Sequence, residues 1–115
     1  IEEAREGYAR IAMVVRADML NGHKTCHGGM IFSLADTAFA YACNSRNVET
    51  VAQNATIAFL APGREGDRLV AECREQALTG RSGVYAVTVT DQKGEKIAVF
   101  QGLSRSLGGA VLKGN

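Results

Sequence analysis

Tryptophan is absent from this sequence, proline occurs once, and three tyrosines and four phenylalanines are the whole aromatic complement. A single proline excludes a proline-rich linker and gives no sign of disorder. The three cysteines, Cys26, Cys43 and Cys73, are an odd set without any C-x-x-C spacing. They exclude a disulfide framework and fit a reducing, cytoplasmic compartment. Charge of one sign is also lacking. The net charge of +1 gives no reason to expect a nucleic acid or an anionic membrane as partner. The longest apolar run, residues 30–43, is broken by Ser33, Asp36 and Thr37 and falls short of the roughly 20 residues that cross a bilayer. No charged-then-apolar signal peptide opens the chain. Because it begins at Ile1 without methionine, a leading segment is expected to have been trimmed.

What is present is one domain's worth of chain. The 115 residues are 46% apolar and 22% charged, the balance of a globular domain spanning residues 1–115. Residues 7–16 alternate loosely and read as a strand. Residues 18–27 are polar and irregular, hence a loop. From Gly28 to about Asn44 the period changes: Ile31, Leu34, Ala35, Ala38, Tyr41 and Ala42 recur at helical spacing, with Phe32, Phe39 and Cys43 on a second side. A helix apolar nearly all round is expected to be buried. Four strands come after it, at 50–60, 67–78, 84–91 and 95–105, separated by turns at Pro62-Gly63, at 80–83 and at 92–94. The tail from Gly108 is glycine-rich and is expected to fray. Short turns predict an antiparallel meander. With one helix available, the expected architecture is α+β, a curved antiparallel sheet wrapped around one long buried helix.

Two features carry chemistry. His27-Gly28-Gly29 stands where the helix begins, and a first helical turn has unpaired N–H groups and a partial positive charge. Glycine there is compatible with a plain flexible entry, or with an oxyanion hole that a carbonyl approaches closely. Asp36 lies two turns inside the helix among Leu34, Ala35 and Ala38, a poor place for a carboxylate without a task. It either lines a water pocket, bonds Thr37 or Asn21, or does chemistry. Eight residues separate Gly28 from Asp36, about 12 Å along a helix. One carbonyl cannot touch both groups of the same chain, since each contact needs about 3 Å. If both act on one substrate they come from two chains, with antiparallel helices across a two-fold axis.

These strings resemble the hotdog thioesterase superfamily, most closely its phenylacetate-degradation branch. The matching residues are N-G-H-x-x-C-H-G-G from Asn21 to Gly29, S-L-A-D-T-A-F-A-Y-A from Ser33 to Ala42, F-L-A-P-G-x-x-G-D from Phe59 to Asp67, and G-V-Y from Gly83 to Tyr85. The resemblance implies hydrolysis of aryl- or arylacetyl-CoA thioesters by a homodimer with a continuous sheet, usually paired into a tetramer. It implies no cofactor, coenzyme A being part of the substrate. Asp36 would act as nucleophile or general base, the Gly28 N–H would hold the thioester oxygen, and Asn21 and His27 would lie at the site. Gly29, Phe32, Thr37, Asn54, Thr56 and Arg81 are the candidate substrate-binding residues; Arg46 and Arg64 are further candidates for the CoA phosphates. Two departures stand out: Ala61 replaces a position often basic in relatives, and an N-terminal helical segment common among them is missing.

Competing readings remain at this level. His23, Cys26 and His27 are zinc-type ligands, although a fourth is not evident. Cys26 with a histidine base is a possible nucleophile. A hotdog enoyl-CoA hydratase would use an Asp and a His together, and a non-catalytic acyl-CoA-binding protein would keep the pocket without turnover.

Overall fold

The computed structural model describes residues 1–109; the expected frayed tail falls largely on 110–115, outside them. The elements are β1 (Glu3–Arg5), β2 (Tyr8–Val14), a 3-10 turn (Ala17–Met19), α1 (Gly28–Cys43), β3 (Thr50–Phe59), β4 (Arg68–Thr79), β5 (Ser82–Thr90) and β6 (Lys96–Ser106). All strand pairs are antiparallel, in the order β1-β2-β4-β5-β6-β3.

Two expectations are corrected. The four strands after the helix do not form one meander: β4, β5 and β6 do, but β3 pairs with β6 at the far edge. Its apolar inner residues are partly covered there, and the segment from Leu60 to Asp67 carries the chain back across to β4, beside β2. The sheet is also not curved and wrapped around a fully buried helix. It is an open, flat sheet with two free edges, and α1 lies against one of its faces. The reason is in the helix itself. Ile31, Leu34, Ala35, Ala38, Phe39, Ala42 and Cys43 are buried, whereas Gly29, Ser33, Thr37, Ala40 and Tyr41 form a solvent-facing stripe, with Tyr41 46% exposed. One apolar side needs one sheet face to cover it.

The core forms where that side meets alternate strand residues, among them Ile11, Leu69, Ala71, Val87, Val89 and Phe100. Phe39 stands at its centre, its ring centroid 5.5 Å from Tyr85 and 5.8 Å from Phe100. Both ends of α1 are capped by side chains. His27 caps the start, and Asn44 closes the end by donating to the carbonyls of Ala40 (2.9 Å) and Thr50 (3.1 Å) while accepting from the Thr50 N–H (2.9 Å).

The two sheet edges differ. β1 is three residues long and carries Glu3 and Arg5. β3 is ten residues long, T-V-A-Q-N-A-T-I-A-F, has no charged residue and is exposed over most of its length. Among the described residues no helix is long and apolar enough to cross a membrane.

Candidate active site

The loop before the helix is a tight, self-bonded structure. The Asn21 side-chain oxygen accepts from the N–H of His23 (2.9 Å), the N–H of Thr25 (3.2 Å) and the Thr25 hydroxyl (3.3 Å). Three donors around one atom fix the amide orientation and leave Nδ2 facing outward as a donor without a partner among the described residues. Backbone bonds hold the loop's return: the Cys26 N–H donates to the Gly63 carbonyl and the His27 N–H to the Met19 carbonyl, both at 2.7 Å.

His27 then does something its sequence position does not announce. Its Nδ1 accepts the Gly29 N–H at 2.9 Å, so the imidazole is the helix N-cap. An accepting Nδ1 carries no proton, which places the ring proton of the neutral form on Nε2. The cap uses the amide of Gly29 and leaves that of Gly28. The Gly28 N–H bonds nothing among the described residues, and it points out of the positive end of α1.

Gly28 lines a cavity of about 380 Å³ together with Asn21, Thr25, Cys26, Ile31, Phe59, Leu60, Ala61 and Pro62. The ring of Phe59 lies over Gly28: a Cβ placed there would be 3.1 Å from Phe59 Cζ. Any side chain at 28 meets that ring. Asn21 and Gly28 thus line one cavity.

Asp36 is not with them. It is half-buried on α1 and makes no hydrogen bond or ion pair among the described residues. Within one chain it stays about 12 Å along the helix from Gly28. Thr37 is exposed and turns its hydroxyl back on the Ser33 carbonyl at 2.7 Å. Phe32 meets Phe100 edge-on, with centroids 5.5 Å apart. Thr56 belongs to the sheet face away from the helix, since its neighbours Ala55 and Ile57 pack on the core. Asn54 is exposed beside a register break in β3, and neither residue touches the Gly28 cavity. Arg81 is exposed at the β4–β5 turn and lines a separate cavity of about 160 Å³ beside Cys43, Tyr85 and Ser104, at the opposite end of α1.

The rival chemistries fit these positions poorly. Cys26 is buried, its thiol faces the His27 carbonyl at 3.8 Å, and burial pushes its pKa up. A thiol held neutral is a poor nucleophile. Nδ1 of His27 is occupied by the cap, and among the described residues no three His, Cys, Asp or Glu side chains converge. The residue that sequence reasoning misses is Phe59. It stands inside the F-L-A-P-G string, and the signal that could have found it is strand parity, which puts 55, 57 and 59 on the helix side of β3.

Residues 23–98 match the thioesterase superfamily. The acyl-coenzyme A thioesterase PaaI of Escherichia coli is 48% identical over 106 residues, covering 92% of this chain and 76% of that protein. Its structure, from the phenylacetic acid degradation operon, superposes with a TM-score of 0.89 over 91% of this chain and 76% of that one. A mutant of the phenylacetic acid degradation protein PaaI from Thermus thermophilus is 37% identical, with a TM-score of 0.88 over 92% and 90%. A Streptococcus mutans protein bound to acetyl CoA is 26% identical, with a TM-score of 0.90 over 94% and 87%. The chain belongs to the thioesterase superfamily: it is a thioester hydrolase of the hotdog fold, closely related to the PaaI-type enzymes.

Proposed function

We propose that this chain hydrolyses aryl- or arylacetyl-CoA thioesters to the free acid and CoA, in the cytoplasm, as a homodimer that pairs into a tetramer. The observation that carries the reading is the Gly28 N–H, unbonded among the described residues, at a helix entry that lines one cavity with Asn21. That amide and the helix dipole would hold the negative charge that develops on the thioester oxygen. The names of the relatives supply the substrate class: an acyl-CoA thioesterase, a phenylacetic acid degradation operon, and a bound acetyl CoA.

Asp36 of a second copy supplies the base. Two β3 edges, long and uncharged, pair antiparallel and bring two α1 helices side by side in opposite directions. Asp36 then takes a proton from water as its oxygen bonds the carbonyl carbon. The tetrahedral intermediate collapses, the C–S bond breaks, and the CoA thiolate leaves with the electron pair. Asn21 Nδ2 orients the water or the carboxylate. Direct attack by Asp36 is the variant of this route in which the carboxylate, not water, forms the first bond.

A thiol-release assay across phenylacetyl-, hydroxyphenylacetyl- and straight-chain acyl-CoAs tests the reading, with Asp36→Ala alongside. The expected result is an aromatic preference, and a loss of about a hundredfold or more in the variant. Undiminished turnover by Asp36→Ala would sink the mechanism; a straight-chain preference would sink the substrate class.

A further inference from the structure

Gly28, Phe32, Asp36 and Ala40 follow one another at intervals of four, so they form a single row along α1. The row looks toward the β3 rim of the sheet. The Phe59 ring of β3 lies over Gly28, and the Phe32 ring meets Phe100 of β6 edge-on, with centroids 5.5 Å apart. Phe100 is buried and lies 5.8 Å, centroid to centroid, from Phe39. Phe32 is thus backed by packed core on one side, yet it is only half-buried. So is Ile57 of β3, which pairs with Phe100 in the sheet register.

Phe32 stands midway between the two groups of the proposed chemistry, about 6 Å along the helix axis from each. Any antiparallel pairing that sets each Gly28 beside Asp36 of the other copy must set Phe32 beside Phe32, on the two-fold axis. One position then serves two sites. From a carbonyl held at Gly28, the way toward the axis runs one helical turn and ends on these rings. The thiol arm of coenzyme A continues to a nucleotide and cannot end in so short a space, whereas an acyl group of one ring can. We propose that Phe32 determines acyl specificity: with its counterpart it forms the closed inner end of both acyl pockets, Ile57 at their side, and limits the acyl group to about one aromatic ring in depth. This rests on the two-chain thioesterase reading above and deepens it. A flat aryl group gains edge or offset contacts with these rings, and a longer chain runs into them.

Thiol release from phenylacetyl-CoA and from phenylbutanoyl-CoA, which is longer by two methylenes, gives a ratio of kcat/KM values. The wild type should favour the shorter ester. Phe32→Leu and Phe32→Ala should each lose on the shorter and gain on the longer, so that the ratio shifts by about tenfold or more in alanine and by less in leucine. A short bismaleimide locates the residue: Phe32→Cys should link into a dimer on a denaturing gel, and the wild type, whose three cysteines are buried, should not. A linked pair with an unshifted ratio, or with an equal loss on both esters, overturns the acyl wall and leaves the paired helices standing. No link at position 32 overturns the claim together with the pairing beneath it. If the wild type releases no thiol from either ester, hydrolysis fails as a reading. Calorimetric titration of the intact esters into the same three proteins then gives the ratio as Kd values, the same shift upholding the role of Phe32 and no shift overturning it.

Discussion

Nδ1 of His27 stands 2.9 Å from the Gly29 nitrogen, and this contact separates the duties of two adjacent glycines. Gly29 gives its amide to the protein; the amide of Gly28 has no partner among the described residues. Substitution at the two positions should therefore fail in different ways.

Gly28→Ala places a methyl 3.1 Å from the Phe59 ring, beside the free amide. The ring sits at the surface and can swing, so melting temperature should change little. Thiol release should fall by about a hundredfold, because the methyl keeps the thioester oxygen off an amide that the substitution itself retains, which is equivalent to losing one oxyanion donor. Steady-state kinetics beside a thermal melt checks both halves, and a large loss of stability with normal kcat would contradict the assignment.

His27→Ala removes the cap. The cost should be about 1 kcal/mol, a drop of several degrees in Tm for a domain of this size. His27→Asn restores a capping oxygen and should recover most of it. If His27 acted chemically instead, asparagine would recover the fold but not turnover.

The proposed division of the site between two chains makes a mixing experiment decisive. Asp36→Asn and Gly28→Ala are each expected to be inactive alone. Co-refolded in equal amounts, half the dimers are mixed, and each mixed dimer has one site with both lesions and one with neither. About a quarter of wild-type activity should return. If base and oxyanion amide belonged to one chain, the mixture would stay inactive.

Burial pushes the Cys43 thiol up to about 11 and the Cys73 thiol up to about 12, from an ordinary 9.0. Both groups are held protonated in the folded state, so the unfolded chain ionises first. Their contribution is fully present below about pH 9 and is lost as pH rises through the 9–12 window. Melts should show Tm flat from pH 7 to about 8.5 and then falling. Native protein at pH 8 should resist an aromatic disulfide reagent, and all three thiols should react once it is unfolded.

Much of this arrangement is legible in the sequence. The periods of 31–42 and 84–91 are clean, so helix and strands fall within two residues of their expected ends. The Gly28–Asp36 spacing is simple arithmetic on a helix. Other features depend on partners that one-dimensional patterns do not name. β1 is three residues of mostly charged sequence and has no period to find. Tyr41 matches the helical spacing of the core yet faces solvent, because helical period gives a stripe and not its width. A wrapped sheet is what the mere number of helices suggests, while the polar stripe at Ser33 and Thr37 already speaks for a helix covered on one side. The role of His27 is hidden because a capping imidazole and a chemical one look alike in a string of letters.

The unequal rims of the sheet set how association can proceed. One rim is brief and ionic; the other is long and neutral, with backbone groups open along its outer side. A molecule with a single adhesive border can be joined once along it, and the union then has none left. If copies join edge to edge as proposed, growth by strand addition stops at two, and any larger particle would have to be built through a different surface.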